Sequence, residues 1–226
     1  MIHNFKLIKK TNLTHNIYEM IFKWDNELKM KPWQFITFLL DKIWGRAYSI
    51  LFLDWKEIVL IIKKREKKEW GRWWSKFICE LSIWDTLKWV WPAWSFLLQE
   101  NNKNKLFIWT GTGFVPLYNQ IIYSLWTNQK TDIKLLFWSR EQKDLFYIKE
   151  LKKLKEKYKN FDFELFLSRS NVEWIKKWYT TDFLNESNCN LFEEFYICWA
   201  PTMIDSSIIK LEKLWISKNN IFYEKY

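Results

Sequence analysis

The sequence predicts two domains, an antiparallel β-barrel followed by an α/β domain with a doubly wound parallel sheet. The first hundred residues contain short β-branched and aromatic runs between turn signals, with one helical pattern, which is typical of a small barrel. After them, strand-like apolar runs alternate with helical patterns, which indicates parallel strands joined by helices. The polar segment 99–105 separates the two patterns, so we expect domains at 1–100 and 101–226.

The runs in the first half are rich in the residues that fit a pleated, half-buried sheet. They predict strands at Asn16–Lys23, Gln34–Leu40, Ala47–Leu53, Glu57–Lys64, Thr86–Val90 and Ser95–Leu98. A short helix is predicted to begin at Ser75, whose hydroxyl can cap the free N–H groups of the run that follows.

The second half alternates between the two kinds of element. Strands are predicted at Leu106–Ile108, Ile133–Phe137, Phe163–Leu167, Phe195–Cys198 and Ile221–Tyr223, and helices at Pro116–Leu125 and Met203–Leu214. A further amphipathic helix has an apolar face formed by Leu145, Ile148, Leu151, Leu154 and Tyr158. This alternation predicts the doubly wound sheet.

The composition excludes several classes of protein. Of 226 residues, 49% are hydrophobic and 27% are charged, and no apolar run approaches the roughly 20 residues of a membrane-spanning helix. The start of the chain has no apolar signal core, so we expect no export. Cys79, Cys189 and Cys198 are too widely spaced for a zinc or iron–sulfur site, so we expect no metal and a reducing cytoplasm.

The counts of tryptophan and glycine are abnormal. The chain has 18 Trp and 4 Gly, whereas average usage of about 7% predicts on the order of 15 glycines. Tryptophans stand at turn positions, such as Leu53-Asp54-Trp55-Lys56, Ile83-Trp84-Asp85-Thr86, and Trp215 after a predicted helix. Glycine is the usual residue at such positions. Glycine in place of every tryptophan would give 22, an ordinary number.

We therefore expect glycine at these positions in the working protein. Some bacterial lineages read the UGA codon as glycine, whereas another common genetic code reads it as tryptophan. Translation of the gene with the wrong genetic code would therefore produce tryptophan at these positions. The alternative is a genuinely Trp-rich protein whose aromatic platforms stack sugars or single-stranded nucleic acid. Platform residues should recur on one face of a strand or helix, whereas these recur at turns.

One glycine-rich turn carries a nucleotide-binding signal. Gly111-Thr112-Gly113-Phe114-Val115-Pro116 follows a predicted strand and opens a predicted helix. Glycines let backbone N–H groups approach a phosphate, and the helix N-terminus favours the anion. The spacing is not GxGxxG, and a plain tight turn between strand and helix would have the same sequence.

Three further segments carry weaker signals. Arg46 and Tyr48 share one face of a predicted strand, where a guanidinium can clasp a phosphate, although such strands are common. Ser75 can cradle a phosphate or act as an ordinary helix cap. Cys198 ends a predicted strand, where ligands of open α/β sheets bind, although cysteine is more often a small buried apolar residue.

Together these segments resemble the ferredoxin–NADP reductase family over essentially the whole chain. The shared order is Arg46-Ala47-Tyr48-Ser49, a turn before Ser75, Gly111 to Pro116, Cys198 to Pro201, and Glu224 to Tyr226. Tryptophans fall on family glycines, among them Trp33, Trp84, Trp94, Trp178 and Trp199. As written, Trp109, Trp138 and Trp199 would place indole rings where the nucleotide should lie.

The resemblance implies a flavin-binding barrel domain and a NAD(P)-binding α/β domain. By resemblance, Arg46 binds the flavin phosphate, Tyr48 packs against the isoalloxazine, and Ser49 hydrogen-bonds near flavin N5. The implied catalytic residues are Ser49, Cys198 near the nicotinamide, Glu224 close to Ser49, and Tyr226 over the flavin face. The implied cofactor-binding residues are Arg46, Ala47, Tyr48, Ser49, Trp74, Ser75, Thr110, Gly111, Thr112, Gly113, Pro116, Ser168, Arg169, Trp199 and Tyr226.

The resemblance also implies the reaction, hydride transfer between NAD(P)H and bound FAD, with FMN the less expected flavin. Ser168-Arg169, with the later Lys176, Lys177 and Tyr179, resembles a 2′-phosphate site of NADPH users. Trp178-Tyr179-Thr180-Thr181-Asp182 instead resembles a segment of NADH users, so the nucleotide stays open.

The expected partner is a small acidic electron carrier such as ferredoxin or flavodoxin, because the formal net charge is +10. One alternative is an NAD(P)H-dependent reductase of free flavin, ferric chelates or an oxygenase component. An alternative from a different class is a basic nucleic-acid-binding protein without flavin, whose binding would depend strongly on salt.

Overall fold

The computed structural model describes residues 3–24, 35–41, 44–54, 57–65, 73–93, 96–128 and 130–225. The chain forms two compact units, Met1–Leu97 and Leu98–Tyr226. Each unit has its own sheet and its own hydrophobic core. The assignment of flavin to the first domain and of nucleotide to the second stays a prediction.

The first unit is one antiparallel sheet with a single helix. Its strands are β1 (His3–Asn12), β2 (Ile17–Lys23), β3 (Phe35–Asp41), β4 (Trp44–Ser49), β5 (Phe52–Asp54), β6 (Glu57–Lys63) and β7 (Thr86–Ala93), and α1 spans Trp73–Glu80. The strand order is β4-β3-β7-β1-β2-β6-β5. In β1, Phe5 and Leu7 are buried while Asn4 and Lys6 are exposed, so one face of the sheet covers the core.

The barrel prediction holds as a barrel-like antiparallel sheet, but the sheet is open. In the described part of the chain, β4 and β5 are its two edges and do not pair with each other. The predicted strand Ala47–Leu53 is broken at Ile50 and Leu51, which are buried. The break leaves β5 with three residues, and so short a strand offers few backbone groups for closing a barrel.

Other boundaries in the first unit also differ from the prediction. Strand β1 was not predicted, although its alternation of polar and apolar residues is a readable strand signal. The predicted strand Ser95–Leu98 is wrong for residues 96–98, which form no strand, and Ser95 lies outside the described residues. These residues lead directly into the second unit.

The second unit is a parallel sheet flanked by helices, which confirms the predicted fold class. Its strands are β8 (Lys105–Thr110), β9 (Ile133–Ser139), β10 (Phe161–Leu167), β11 (Lys176–Lys177), β12 (Glu194–Trp199) and β13 (Ile221–Lys225). Its helices are α2 (Phe114–Thr127), α3 (Ile148–Lys157), α4 (Glu186–Cys189) and α5 (Pro201–Lys213). All six residues of β8 are buried, because helices cover a central parallel strand. Strand β11 and helix α4 were not predicted.

The sheet has a topological switch point between β8 and β12. The strand order is β11-β10-β9-β8-β12-β13, with every pair parallel. The chain moves outward from β8 to β11 on one side and then returns to β12 and β13 on the other. In open α/β sheets, ligands bind at the carboxyl ends of the strands at such a point.

Candidate functional site

The carboxyl end of β8 leads into a glycine turn and then into α2. Thr110 is extended, with φ −141° and ψ 149°, and Gly111–Gly113 form one turn of 3-10 helix before Phe114. Gly111 has a φ of 54°, a left-handed conformation that a Cβ atom disfavours. Pro116 lies in the first turn of α2, where its missing N–H removes no helical bond. The first N–H groups of α2 therefore face the end of the sheet, where they favour an anion.

Two predicted catalytic residues lie level with this turn on neighbouring strands. The parallel register aligns Cys198 of β12 with Trp109 of β8 on one side and with Glu224 of β13 on the other. Cys198 is fully buried, and Glu224 is half-buried on the edge strand. Helix α5 begins at Pro201, just after β12. The structure therefore brings the glycine turn, Cys198 and Glu224 to one edge of one sheet.

Two tryptophans lie at the same edge. The ring of Trp109 is fully buried, with its centroid 5.0 Å from that of Phe114 and 5.1 Å from that of Phe137. The ring of Trp138 lies 5.7 Å from that of Tyr179. Among the described residues, neither indole N–H has an acceptor, and an unpaired buried donor costs about 1–3 kcal/mol. The ring of Trp109 thus packs inside the second unit, and whether it excludes a nucleotide stays a prediction.

The residues of the turn fit a nucleotide phosphate. Gly111 and Thr112 are half-exposed. The left-handed Gly111 brings backbone, with no side chain, to the carboxyl end of the sheet, which is the arrangement that lets N–H groups approach a phosphate closely.

An arginine that the sequence reasoning missed lies beside Arg169. Strand β9 ends at Ser139 and is followed by Arg140, just as β10 is followed by Ser168 and Arg169. The Ser168 N–H donates to the Ser139 carbonyl at 3.2 Å, and the Arg169 N–H donates to the Arg140 carbonyl at 2.8 Å. Both arginines are exposed, and within the described ranges neither forms a salt bridge. A Ser-Arg pair follows or ends both strands, and this repetition in the sequence could have identified Arg140 as a candidate.

Lys176, which the resemblance placed at a 2′-phosphate, is held by a carboxylate. Its ammonium lies 2.6 Å from Glu164 Oε2. Lys134 lies 2.8 Å from both Glu164 and Asp162, and Lys155 also pairs with Asp162. Burial opposes ionisation of both carboxyl groups, but hydrogen bonds from the lysines outweigh it and lower their pKa values. Lys176 is therefore already paired with a carboxylate, whereas Arg140, Arg169 and Lys177 are exposed cations near the ends of β9 and β10.

The predicted flavin-site residues of the first unit follow one another along β4. They are Arg46, Ala47, Tyr48 and Ser49. Arg46 is exposed, whereas Tyr48 is half-buried with its ring 5.8 Å from that of Phe38. Burial, with a smaller contribution from Cys79, raises the pKa of Tyr48, so its phenol stays neutral. The strand presents a cation and, two residues later, a neutral aromatic ring, as the resemblance implies for a flavin site.

Ser75 is not the helix cap that the sequence predicted. Helix α1 begins at Trp73, so Ser75 is already inside its first turn. Its hydroxyl accepts a hydrogen bond from the Arg65 N–H at 3.2 Å. Trp74, beside it, is buried in the core of the first unit. The phosphate-binding role of Ser75 and Trp74 stays a prediction.

Two predicted site residues lie at the limits of the described structure. Tyr226 is outside the described residues, as is the side chain of Trp199. In the parts of the chain that the structure describes, no group of three His, Cys, Asp or Glu side chains is placed to hold a metal ion. None of the helices there is long and apolar enough to cross a bilayer.

The fold and the site define a class of protein. A barrel-like antiparallel unit precedes a doubly wound unit with a glycine turn at its switch point, which is the architecture of two-domain flavin- and nicotinamide-dependent reductases. Residues 107–207 match the family model described as the oxidoreductase NAD-binding domain. The chain is similar in fold to ferredoxin–NADP reductase-like FAD- and NAD-binding oxidoreductases, and its second unit matches their NAD-binding domain.

Named relatives and solved structures share this arrangement. A component of the Na⁺-translocating NADH-quinone reductase of Marinomonas sp. (strain MWYL1) is 28% identical over 224 residues, covering 90% of this chain and 53% of that protein. The FAD/NAD-binding domain of a nitric oxide dioxygenase from Vibrio cholerae is 17% identical with a TM-score of 0.85, covering 99% of this chain and 98% of that one. Ferredoxin–NADP⁺ reductase from Plasmodium falciparum, solved with 2′P-AMP, is 21% identical with a TM-score of 0.79, covering 100% and 96%.

The chain spans about half the length of the curated relatives it matches most extensively, with 53% of the Marinomonas protein covered. Other relatives are reductase components of monooxygenases. The relatives therefore act as reductases within larger electron-transfer systems.

Proposed function

We propose that this chain is a flavin-dependent NAD(P)H oxidoreductase that transfers hydride between NAD(P)H and bound FAD and passes electrons to a small carrier protein. The observation that carries the proposal is the switch-point junction of the second unit. There the left-handed Gly111, the start of α2, Cys198 and Glu224 all lie at the carboxyl edge of one sheet. The match of residues 107–207 to the oxidoreductase NAD-binding domain supports the same reaction.

The second unit would bind the nucleotide through backbone and arginine. The glycine turn and the N-terminus of α2 would hold a phosphate, because glycine lets backbone N–H groups approach an anion and a helix N-terminus favours negative charge. The Phe114 N–H is not one of these groups, since it is already bonded to the Gly111 and Thr112 carbonyls. Arg140 and Arg169 hold a second anionic group further along the edge, since a guanidinium binds phosphate through two parallel hydrogen bonds. Cys198 ends its strand beside the turn, where the resemblance implies the nicotinamide, and Glu224 lies level with it on the next strand.

The first unit would bind the flavin. Arg46 offers a charge for the flavin phosphate, and the neutral ring of Tyr48 offers an apolar surface two residues away on the same face. Ser49 ends the strand and offers a hydroxyl that can donate or accept a hydrogen bond. When bound, the flavin accepts a hydride and releases electrons one at a time, which is chemistry that these side chains do not supply themselves.

The charge of the chain supports an acidic electron carrier as the partner. The formal net charge of +10 attracts an acidic protein and raises the rate of encounter at low salt. A reducing cytoplasm is supported by the cysteines, since Cys79, Cys189 and Cys198 are all buried and none of them forms a disulfide.

The reaction is tested by anaerobic mixing of the FAD-loaded protein with NADPH or NADH. We expect the visible absorption of the bound flavin to bleach, with one nucleotide reacting faster. The reduced protein is then mixed separately with an acidic ferredoxin, free FMN and ferric citrate. Fastest oxidation by ferredoxin supports the carrier, and fastest oxidation by the small acceptors supports a free-flavin or ferric reductase. Bound FAD that neither nucleotide reduces contradicts the proposal.

The glycine turn provides a matched pair of variants. Gly111 has φ 54°, whereas Gly113 has φ −60° and ψ −11°, an ordinary helical conformation. Gly111→Ala should raise the KM for the nucleotide by roughly tenfold, because a left-handed alanine costs about 1–2 kcal/mol. Gly113→Ala adds the same methyl group without that backbone cost and should change KM less. Equal effects of the two variants would show that the left-handed backbone is not what shapes the site.

A further inference from the structure

Three tryptophans lie on left-handed backbone. Trp84 has φ 82°, Trp178 has φ 99° and Trp215 has φ 62°. In the described part of the chain only one other non-glycine residue, Tyr147 with φ 60°, has a positive φ. A bulky residue is disfavoured there because its Cβ approaches the following carbonyl oxygen, whereas glycine adopts the conformation freely.

Trp215 occupies the place of glycine in a helix-ending motif. Helix α5 ends at Lys213, and Leu214 is its C-cap. The Trp215 N–H donates to the Glu212 carbonyl at 3.0 Å, and the Ile216 N–H donates to the Leu211 carbonyl at 3.1 Å. This pair of bonds is the Schellman motif, in which the first residue past the cap is left-handed and usually glycine. Trp215 is that residue.

Trp84 occupies the place of glycine in a tight turn. The Asp85 N–H donates to the Ser82 carbonyl at 3.1 Å, which closes a four-residue turn with Trp84 in its third position. A φ of 82° at the third position is the geometry of a type II turn, which requires glycine or asparagine there. The Trp84 N–H also donates to the Leu7 carbonyl at 2.8 Å, so the sheet fixes this backbone conformation.

The side chains of these tryptophans give no reason for the conformation. Trp84 is 63% exposed, Trp178 is 60% exposed and Trp215 is 94% exposed, so their rings bury little surface. Tyr147 is different, because its ring lies 4.8 Å from that of Phe114 within an aromatic cluster. Packing can hold Tyr147 in a left-handed conformation. The rings of Trp84 and Trp178 each lie under one exposed lysine, Lys6 at 4.9 Å and Lys177 at 5.4 Å, and such exposed contacts are worth only about 0.5–1 kcal/mol.

Two other tryptophans are mismatched to their surroundings in a different way. Trp109 and Trp138 stand at the carboxyl ends of β8 and β9, and each has a buried indole N–H with no acceptor among the described residues. Buried donors are normally paired. Glycine at either position would remove the orphan donor and open space at the edge where the glycine turn lies.

We propose that the protein made in its own cell carries glycine at positions 84, 178 and 215, and through the same codon at 109 and 138. The 18 Trp and 4 Gly of the chain are then the result of UGA codons that the cell reads as glycine. The site of the working protein has small residues at the ends of β8 and β9, in place of two indole rings.

The direct test is the mass of peptides from the protein purified from its source. Cleavage after lysine gives peptides 77–88, 178–210 and 214–218, which contain the three left-handed positions. We expect masses with glycine at each of them and UGA at the matching codons. Tryptophan masses, or UGG codons at these positions, overturn the proposal. This test needs no flavin and no activity, so its outcome is separate from that of the proposed reductase function.

Thermal unfolding of the tryptophan-containing chain provides a second test with an internal control. Trp84→Gly, Trp178→Gly and Trp215→Gly should each raise Tm by roughly 2–4 °C, because each relieves a left-handed backbone. Trp126 is the control: it is 75% exposed on helix α2 and is not left-handed. Trp126→Gly should lower Tm by only about 1 °C, because glycine is a slightly weaker helix former than tryptophan. A rise in Tm for all four variants would mean that removal of exposed indole, not the backbone, is responsible.

Discussion

The buried ion pair at the start of β8 gives a prediction whose size follows from its geometry. The side chain of Lys105 is 1% exposed and that of Glu194 is 3% exposed, with Nζ 3.4 Å from Oε2. Lys105 Nζ also donates to Asn101 Oδ1 at 2.8 Å and to the Lys103 carbonyl at 2.9 Å. Burial lowers the pKa of Lys105, and the nearby Glu194 opposes that shift.

Glu194 keeps two other partners when Lys105 is removed. Its Oε1 accepts from Asn101 Nδ2 at 2.6 Å, and its Oε2 accepts from the Tyr196 hydroxyl at 2.8 Å. Removing one partner of a buried pair costs about 3–5 kcal/mol, because the other charge stays buried. We expect Lys105→Met to cost about 3 kcal/mol, since the two remaining hydrogen bonds still stabilise the carboxylate.

Urea unfolding of the wild-type chain, Lys105→Met, Glu194→Gln and the double variant measures this cost. The double variant should be more stable than the sum of the single effects predicts, by about 2 kcal/mol, because it leaves no unpaired charge. The amide oxygen of this glutamine can accept from Asn101 Nδ2, and its amide N–H can donate to the Tyr196 hydroxyl. A loss below about 1 kcal/mol for Lys105→Met, or additive single effects, would refute the reasoning.

The remaining predictions concern the nucleotide, acid stability and thiol reactivity. Arg140→Ala and Arg169→Ala should each raise the KM for the nucleotide roughly 10- to 100-fold and leave kcat unchanged, because each removes a charged hydrogen bond of about 1.5–3 kcal/mol. Steady-state kinetics measures both constants, and a fall in kcat alone would contradict this prediction. The lysine partners of Asp162 and Glu164 lower the pKa values of these carboxyl groups in the folded protein. Their ion pairs therefore stabilise the fold at pH values above the unfolded-state pKa of about 4. This stabilisation is lost as the pH falls through the pKa values of the folded state. A plot of Tm against pH should therefore fall steeply below about pH 4, and a flat plot would contradict the assignment. Burial raises the pKa of Cys79 to about 12, so its thiol should resist iodoacetamide at neutral pH until the protein unfolds, which peptide mapping of the alkylated protein will show.

Most strands of the second unit could be predicted because buried parallel strands are continuous apolar runs. The prediction for β8 nevertheless began at Leu106, one residue late, because a lysine at the start of a strand indicates exposure. Lys105 is buried there only because Glu194, distant in sequence, lies beside it. The missed β1 has a different cause, since its alternating residues were a readable signal.

The site was predicted in part. The glycine turn and Cys198 could be found because a strand followed by glycine and a helix start is a local pattern. Arg140 could not be placed beside Arg169 without the register of β9 and β10. The identification of Ser75 as a helix cap was wrong because the helix extends back to Trp73, and tryptophan gives no helix-start signal.

The sequence by itself determined the order of the two fold classes, the glycine turn and the unusual placement of tryptophan at turns. These features depend on periodicity and turn chemistry, which act over a few neighbouring residues. Only the tertiary structure decided that β8 and β12 meet at a switch point, that Cys198 lies level with Glu224, and that the ring of Trp109 points into the core. Those facts depend on the pairing of strands that are far apart in the chain, and residue order alone does not fix that pairing.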